Sequence, residues 1–239
     1  MTDDYEHKIL IVGCGLLGSM IARPIAAFAT SLAVGISVTI VDYDKVENRN
    51  SPGDLEVPTK IGEYKTDVVA HVYEAAGIPV KIQRTRVTEK SLWLAKGHSI
   101  IIGALDNVPS RQLLLKASKM YKIPYIDLGL HNVGGQVSWS HGDITTMPFV
   151  GISKGYKPSE EKEPACALVA TRVYSAIVTE CAAISVFIYI SGHDPSGFVY
   201  MNTGSAAENG DMVNWYVSTG DGKISATAKC ITPKTKQQE

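Results

Sequence analysis

Cysteine is scarce in this chain of 239 residues: Cys14, Cys166, Cys181 and Cys230, with no C-x-x-C pair among them. Tetrahedral zinc sites usually draw their thiolates from close pairs, so no zinc is expected, and free thiols in a reducing compartment are the default. An excess of one charge is missing too. The 24 acidic and 23 basic residues leave a formal net charge of -1, which gives no electrostatic reason to bind nucleic acid or an anionic membrane. No long hydrophobic run goes uninterrupted. The most apolar stretch, ALVATRVYSAIVTECAAISVFIYI, carries Arg172 and Glu180, and it reads as a buried amphipathic helix rather than a membrane span. Internal repeats and low-complexity segments are absent. The acidic start, MTDDYEHK, has no signal-peptide pattern and leads straight into a strand, so a cytoplasmic protein is expected.

What is present is an ordinary globular balance, 45% hydrophobic and 20% charged, on a chain long enough to bury a sizeable core. Short apolar runs (KILIVG, SVTIVD, VKIQRTRV, HSIIIGAL, IPYIDLG) read as strands. Between several of them lie helical patterns: LLGSMIARPIAAFATSLA, which Pro24 must shorten or kink, YKTDVVAHVYEAAG with a stop at Gly77, and PSRQLLLKASKMYK with proline near its start. Alternation of this kind predicts right-handed crossovers and a Rossmann-like, mostly parallel sheet with helices on both faces. After GGQVSWS the pattern changes. A polar loop over 142–164 precedes the long helix, and GFVYMNT and MVNWYVST read as an antiparallel hairpin. The expectation is a single domain: a nucleotide-binding part over 8–141, the crossover loop, helix plus hairpin over 165–220, and a tail over 221–239.

GCGLLG places Gly13, Gly15 and Gly18 between a strand and a helix, the context that the G-x-G-x-x-G pattern requires. Gly13 permits the tight turn, Gly15 lets a phosphate approach the backbone, and Gly18 allows close packing of helix on strand. The pattern is strong for a nucleotide and does not choose between a dinucleotide and ATP. Asp42, at the end of the second strand, suits a carboxylate that accepts from ribose hydroxyls. Beyond it come Arg49 and Asn50, then Lys65 just before a helix, then Asp106, Asn107 and Arg111 past the fourth strand. Ligands bind outside the carboxyl ends of parallel strands, so these side chains should converge. A lysine and an arginine beside a triphosphate, with an aspartate able to hold magnesium, suit attack at phosphorus; hydride transfer needs none of them.

Together GCGLLGS, DYDKVENRN, IGEYK, ALDNVPSR and LGLHNVGGQV, in this order from Lys8 to about Thr219, resemble the ThiF/MoeB/HesA family, the adenylating core shared with ubiquitin-activating enzymes. The resemblance implies an ATP-dependent adenylyltransferase. Its substrate would be the C-terminal glycine carboxylate of a ubiquitin-like or sulfur-carrier protein, or a peptide, attacking the α-phosphate of Mg·ATP. It further implies that Asp42 binds the ribose, that Asn50 and Lys65 contact phosphates, that Asp106 holds Mg2+, and that the glycines carry the adenine-side contacts. A homodimer is implied as well. Departures from the pattern are visible. Gly53 and Asp54 stand where the family has arginine and glutamine, and Arg49 is the nearest substitute. Only seven residues precede Lys8, so the N-terminal helix that lends an arginine to a partner subunit is expected to be absent. The zinc-binding cysteine pairs are missing.

Cys166, at the expected start of the long helix, is equally a thiol that forms a thioester or persulfide and a small buried helix residue. Cys14 matters more by its size than its thiol, and Cys181 and Cys230 read as structural or incidental. His131 and Asn132 draw attention only by their place beside GGQV. Arg111 is read as a ligand contact ahead of a structural cation. Two alternatives remain: a catalytically weak partner subunit of a heteromeric activating enzyme, favoured by Gly53, and an NAD-dependent oxidoreductase.

Overall fold

A central strand covered on both faces must be apolar throughout, and Ile100–Gly103 is buried at all four positions. It is one of five parallel strands in a computed structural model that describes residues 6–47, 60–131, 134–140, 169–193, 197–202, 214–219 and 224–226. These are β1 (His7–Val12), β2 (Ile36–Val41), β3 (Val80–Gln83), β4 (Ile100–Gly103) and β5 (Tyr125–His131). Their order across the sheet is β3-β2-β1-β4-β5, so the winding reverses between β1 and β4. Four antiparallel strands continue the sheet: β6 (Gly134–Ser140), β7 (Gly197–Asn202), β8 (Asn214–Thr219) and β9 (Ile224–Ala226). The expected hairpin is β7 with β8, in register from Gly197 opposite Thr219 to Asn202 opposite Asn214. The antiparallel half starts earlier than that hairpin, with β6 folded directly back on β5.

Alternate residues of each strand feed different layers. Ile9 and Ile11 of β1 join Ile25, Val69, Tyr73 and Val178 in one core, whereas Leu10 and Val12 join Leu92, Leu114 and Leu115 in the other. The first layer holds α1 (Leu16–Met20), α2 (Ala22–Ser31), α3 (Lys65–Ala75) and α5 (Val169–Ile190). The second holds α4 (Val108–Tyr121) and a 3-10 helix over Glu89–Ala95. Pro24 has no N–H to offer the preceding turn, and the expected single helix is broken at Ile21. Gly77, at φ +73°, follows the end of α3. β3 is shorter than the alternation VKIQRTRV suggests. It stops at Gln83, and Arg84 turns aside to clasp Asp67 of α3 at 2.8 and 3.0 Å. Among the described residues no helix is long and apolar enough to cross a membrane. Arg49, Asn50, Gly53, Asp54, Asn132, the loop over 142–164, Cys166 and Cys230 lie outside the described residues.

One histidine reports on the fold. The Nε2 of His98 meets Thr39 Oγ1 of β2 at 2.9 Å. Burial lowers its pKa from 6.5, and the charges of Lys8 and Lys81 lower it further, against an opposite pull from the Ala95 and Leu94 carbonyls. A folded pKa below the unfolded one means full stabilisation above pH 6.5, lost as pH falls through the folded value. Thermal midpoints should therefore fall on acidification below pH 6.5, and His98→Asn should flatten that part of the curve. Parallel curves for the two proteins would count against this.

Candidate functional site

The turn after β1 is built by two glycines that no other residue could replace in place. Gly13 sits at φ +96°, and a Cβ there would lie 2.4 Å from the Ala104 carbonyl oxygen. At Gly18 a Cβ would lie 1.8 Å from the Gly13 oxygen, so α1 packs backbone to backbone on the turn. Gly15 differs. Its backbone is ordinary (φ -73°), it stands at the N-cap of α1, and a Cβ would meet nothing within 4 Å. That open face looks into a cleft of about 660 Å3 over the carboxyl ends of β1, β2, β3 and β4, a size within the usual range for small-molecule sites. The cleft stands at the β1/β4 reversal, where open α/β sheets bind their ligands.

Gly13, Gly15, Asp42, Lys65, Asp106, Asn107 and Arg111 all line this cleft. Gly18 lies behind it, with Gly13 and Ala104 as neighbours. Asp42 follows β2 directly and is held by two backbone donors: Cys14 N–H to Oδ2 at 2.6 Å and Asp44 N–H to Oδ1 at 2.8 Å. Lys65 arrives from a distant segment because a short antiparallel bridge pins it there. Lys45 pairs with Tyr64, Val46 N–H bonds to Glu63, and the Lys65 N–H bonds to the Asp44 carbonyl at 3.1 Å. Its Nζ lies 3.4 Å from Asp44 Oδ2, with the lysine 13% and the aspartate 41% exposed. A half-exposed pair of this kind contributes about 1 kcal/mol or less, so it can yield to a phosphate.

Asp106 is exposed on the loop after β4, and its Oδ1 accepts from Asn107 Nδ2 at 3.0 Å. The Asn107 amide oxygen is already used, since it caps α4 by accepting from the Ser110 N–H at 2.9 Å. Arg111 is similarly committed. Its Nε donates to the Leu105 carbonyl at 2.8 Å, and Nη1 lies 3.3 Å from Asp127 Oδ2. Cys14 is fully buried, and its thiol is pushed well up by burial and by the Asp42 charge, partly offset by Lys65. It stays protonated and inert, in keeping with a role of size alone. Burial and the neighbouring Glu180 also raise Cys181.

Tyr43, Asp44, Thr85, Arg86 and Val87 line the cleft as well, and the motifs did not name them as site residues. The Arg86 guanidinium lies 4.3 Å from the centre of the Tyr43 ring and donates to its hydroxyl. Forty-three residues separate the two, and only the pairing of β2 with β3 brings them together. Asp127, wholly buried beneath the site, was likewise silent in IPYIDLG.

A second, more open hollow of about 800 Å3 lies at the amino edge of the sheet, lined by Lys96, His98, Lys122 and His193 among others. Lys122 and His193 follow the carboxyl ends of α4 and α5, where cations answer the helix dipoles.

The donor set at the carboxyl edge suits a magnesium nucleotide. It has an open glycine backbone at a helix start, a carboxylate held by two backbone donors, one lysine on a weak ion pair and one exposed aspartate. Among the described residues no cluster of three or more acids, histidines or cysteines could hold a metal unaided. Mg2+ is commonly held by one or two carboxylates together with substrate phosphates, and Asp106 can serve in that way. Fold and site thus define an α/β domain with a doubly wound sheet and a polar cleft, suited to a nucleotide, at its switch point.

The chain belongs to the ThiF family, whose model matches residues 5–213. It is 28% identical over 139 residues to the mouse adenylyltransferase and sulfurtransferase MOCS3, covering 56% of this chain and 29% of that protein. The sulfur carrier protein adenylyltransferase of Thermus thermophilus is 26% identical over 138 residues, covering 56% of this chain and 49% of that protein. The chain thus spans less than half of the length of these relatives. In fold it is similar to E. coli MccB, in a crystal structure with AMPCPP and MccA, at a TM-score of 0.65 and 15% identity over 94% of this chain and 67% of that one. PaaA gives a TM-score of 0.63 at 16% identity, over 83% and 70% of the two chains.

Proposed function

We propose that the chain is an ATP-dependent adenylyltransferase that activates the C-terminal carboxylate of a ubiquitin-like or sulfur-carrier protein, or of a peptide. A single observation carries the proposal: Asp42, Lys65 and Asp106, from three separate segments, line one cleft with the open backbone of Gly15. The names of its relatives support the same chemistry.

In the proposed reaction an oxygen of the incoming carboxylate bonds to the α-phosphorus of ATP. The bond from that phosphorus to the bridging oxygen breaks, and pyrophosphate leaves with the electron pair. No proton need move. Asp42 orients the ribose, and Gly15 lets the phosphates approach the start of α1. Lys65 moves from Asp44 to the charge that grows on the α-phosphate oxygens, where a fixed cation lowers the barrier. Asp106 would hold Mg2+, which would supply charge neutralisation at the triphosphate. Asn50 and Arg49 are proposed as further phosphate contacts. A homodimer and a cytoplasmic location are proposed with the family. Gly53 and Asp54, in place of arginine and glutamine, favour a second reading, a weakly catalytic subunit that needs an active partner.

ATP–pyrophosphate exchange with a panel of small proteins ending in Gly-Gly tests the proposal. Exchange should require both magnesium and one of the carriers, and Asp106→Ala should abolish it while the circular dichroism spectrum is retained. No stimulation by any carrier, together with no binding of ATP, would defeat the enzyme reading.

Arg86→Ala should weaken ATP binding by about tenfold, the loss expected for one stacking or charged contact of roughly 1.4 kcal/mol, with an unchanged thermal midpoint because the pair is exposed. Equal affinity for ATP in the two proteins would remove Arg86 and Tyr43 from the nucleotide site.

A further inference from the structure

Beneath the cleft lies a polar network that the proposed chemistry does not use. Asp127, in the middle of β5, has no exposed surface and does not line the cleft. Its Oδ1 accepts from the Tyr125 hydroxyl at 2.7 Å, and its Oδ2 lies 3.3 Å from Arg111 Nη1. Gln136 of β6 adds a further hydrogen bond. The carboxyl is raised by burial, while the Arg111 charge and the bonds from Tyr125 and Gln136 pull it back. A buried ion pair of this kind is weak evidence for stability, since apolar residues of similar volume would often serve as well.

The network continues one bond further on. Arg111 Nε donates to the carbonyl of Leu105, the residue before Asp106. Ala104 N–H bonds to Val12 at 2.8 Å, and Asn107 caps α4. The loop from 104 to 107 is therefore tied at both ends and, through Arg111, in its middle. Gly129 of β5 makes room for the clasp. A Cβ there would fall 2.9 Å from Nη1 and 3.1 Å from Nη2 of Arg111. The planar fork of arginine meets a carbonyl and a carboxylate at once, which the point charge of lysine does not.

We infer that Arg111 is a positioning residue: clamped between Asp127, the Leu105 carbonyl and the bare face of Gly129, it sets the place of Asp106 over the cleft. The inference rests on the proposed function for what Asp106 does, and on the hydrogen bonds alone for the clamp. On this inference Arg111 acts through Asp106, where the motif suggested a direct contact with the nucleotide.

Two variants that touch no ligand test it, Gly129→Ala and Asp127→Asn, with Arg111→Lys beside them. The methyl of Gly129→Ala meets the far end of a flexible side chain and Gln136 Cγ, so the fold can absorb it by moving Arg111. Two readouts are taken on the whole chain: amide hydrogen exchange over residues 104–110, and affinity for AMPCPP with Mg2+ and with EDTA. Each variant should speed exchange over 104–110 with the rest unchanged. It should also weaken AMPCPP binding about tenfold or more with Mg2+, as for a lost outer partner of a metal ligand, and hardly at all in EDTA. Arg111→Lys should behave alike despite its retained charge. Unchanged exchange over 104–110 in Gly129→Ala overturns the clamp, whether or not any nucleotide binds. Equal losses with and without Mg2+ overturn the link to Asp106. Failure of the wild-type protein to bind AMPCPP in either condition defeats the adenylation reading instead, and the exchange measurement still decides the clamp. Should Asp127→Asn fail to fold, Gly129→Ala decides both points.

Discussion

Replacing Lys65 with alanine leaves a folded chain whose carrier-dependent ATP–pyrophosphate exchange falls by about 10²–10³-fold, the loss typical of removing one fixed group that faces developing charge. Of the three cations that line the cleft among the described residues, Arg111 is tied to Leu105 and Asp127, and Arg86 lies on Tyr43. Lys65 alone of the three combines near-complete shielding with a partner that is 41% exposed and easily surrendered. The loss should fall on the rate, with ATP affinity changed far less, because in the proposed reaction the lysine meets most charge in the transition state. Lys65→Arg should recover part of the rate. The thermal midpoint should move little, since a half-exposed pair contributes about 1 kcal/mol or less. Exchange at the wild-type rate in Lys65→Ala would remove this residue from the chemistry and leave the cleft without its proposed cation.

The glycines of the first turn should fail in two different ways. Gly18→Ala has no room at all: its methyl would fall 1.8 Å from the Gly13 oxygen, a backbone atom that cannot swing aside. Overpacking against a rigid neighbour typically costs 1–3 kcal/mol, and this case belongs at or above about 3 kcal/mol. In a chain of this length that corresponds to a fall of about 10 °C in the thermal midpoint. Gly15→Ala should leave the midpoint where it was, since its φ of -73° suits any residue and nothing lies within 4 Å. Its methyl would project into the space proposed for the phosphates, and ATP binding should be lost. A thermal scan and an ATP titration on the pair separate the two roles. Reversed outcomes, with a stable Gly18→Ala or an Gly15→Ala that binds ATP normally, would contradict the assignment of each glycine.

Much of this site could be read before any folding was considered, and the reason is local. In a parallel sheet each strand ends at the same edge, so Asp42, Asp106 and the glycines are placed by lying directly after β2, β4 and β1. Apolar runs such as Ile100–Gly103 mark a strand buried on both faces. Pro24 breaks its helix through a missing N–H, and Gly77 ends another through its φ of +73°; both need only their neighbours in the chain.

Other features depended on partners far away. Gly134–Ser140 has glycines and serines where a strand would favour branched residues, and it becomes β6 because β5 and β7 offer it hydrogen bonds on both sides. Arg86 meets Tyr43 only through the pairing of β3 with β2. Arg111 was legible as a cation at the cleft, since a motif records that an arginine stands after Asp106, but not what its guanidinium reaches. The clasp on Leu105 and Asp127 comes from packing α4 on β4 and β5, with Gly129 leaving the space. Residue order therefore settles what depends on neighbours along the backbone, the strand ends and the turns. The direction of a long charged side chain is a contest among partners that meet only when the sheet has closed.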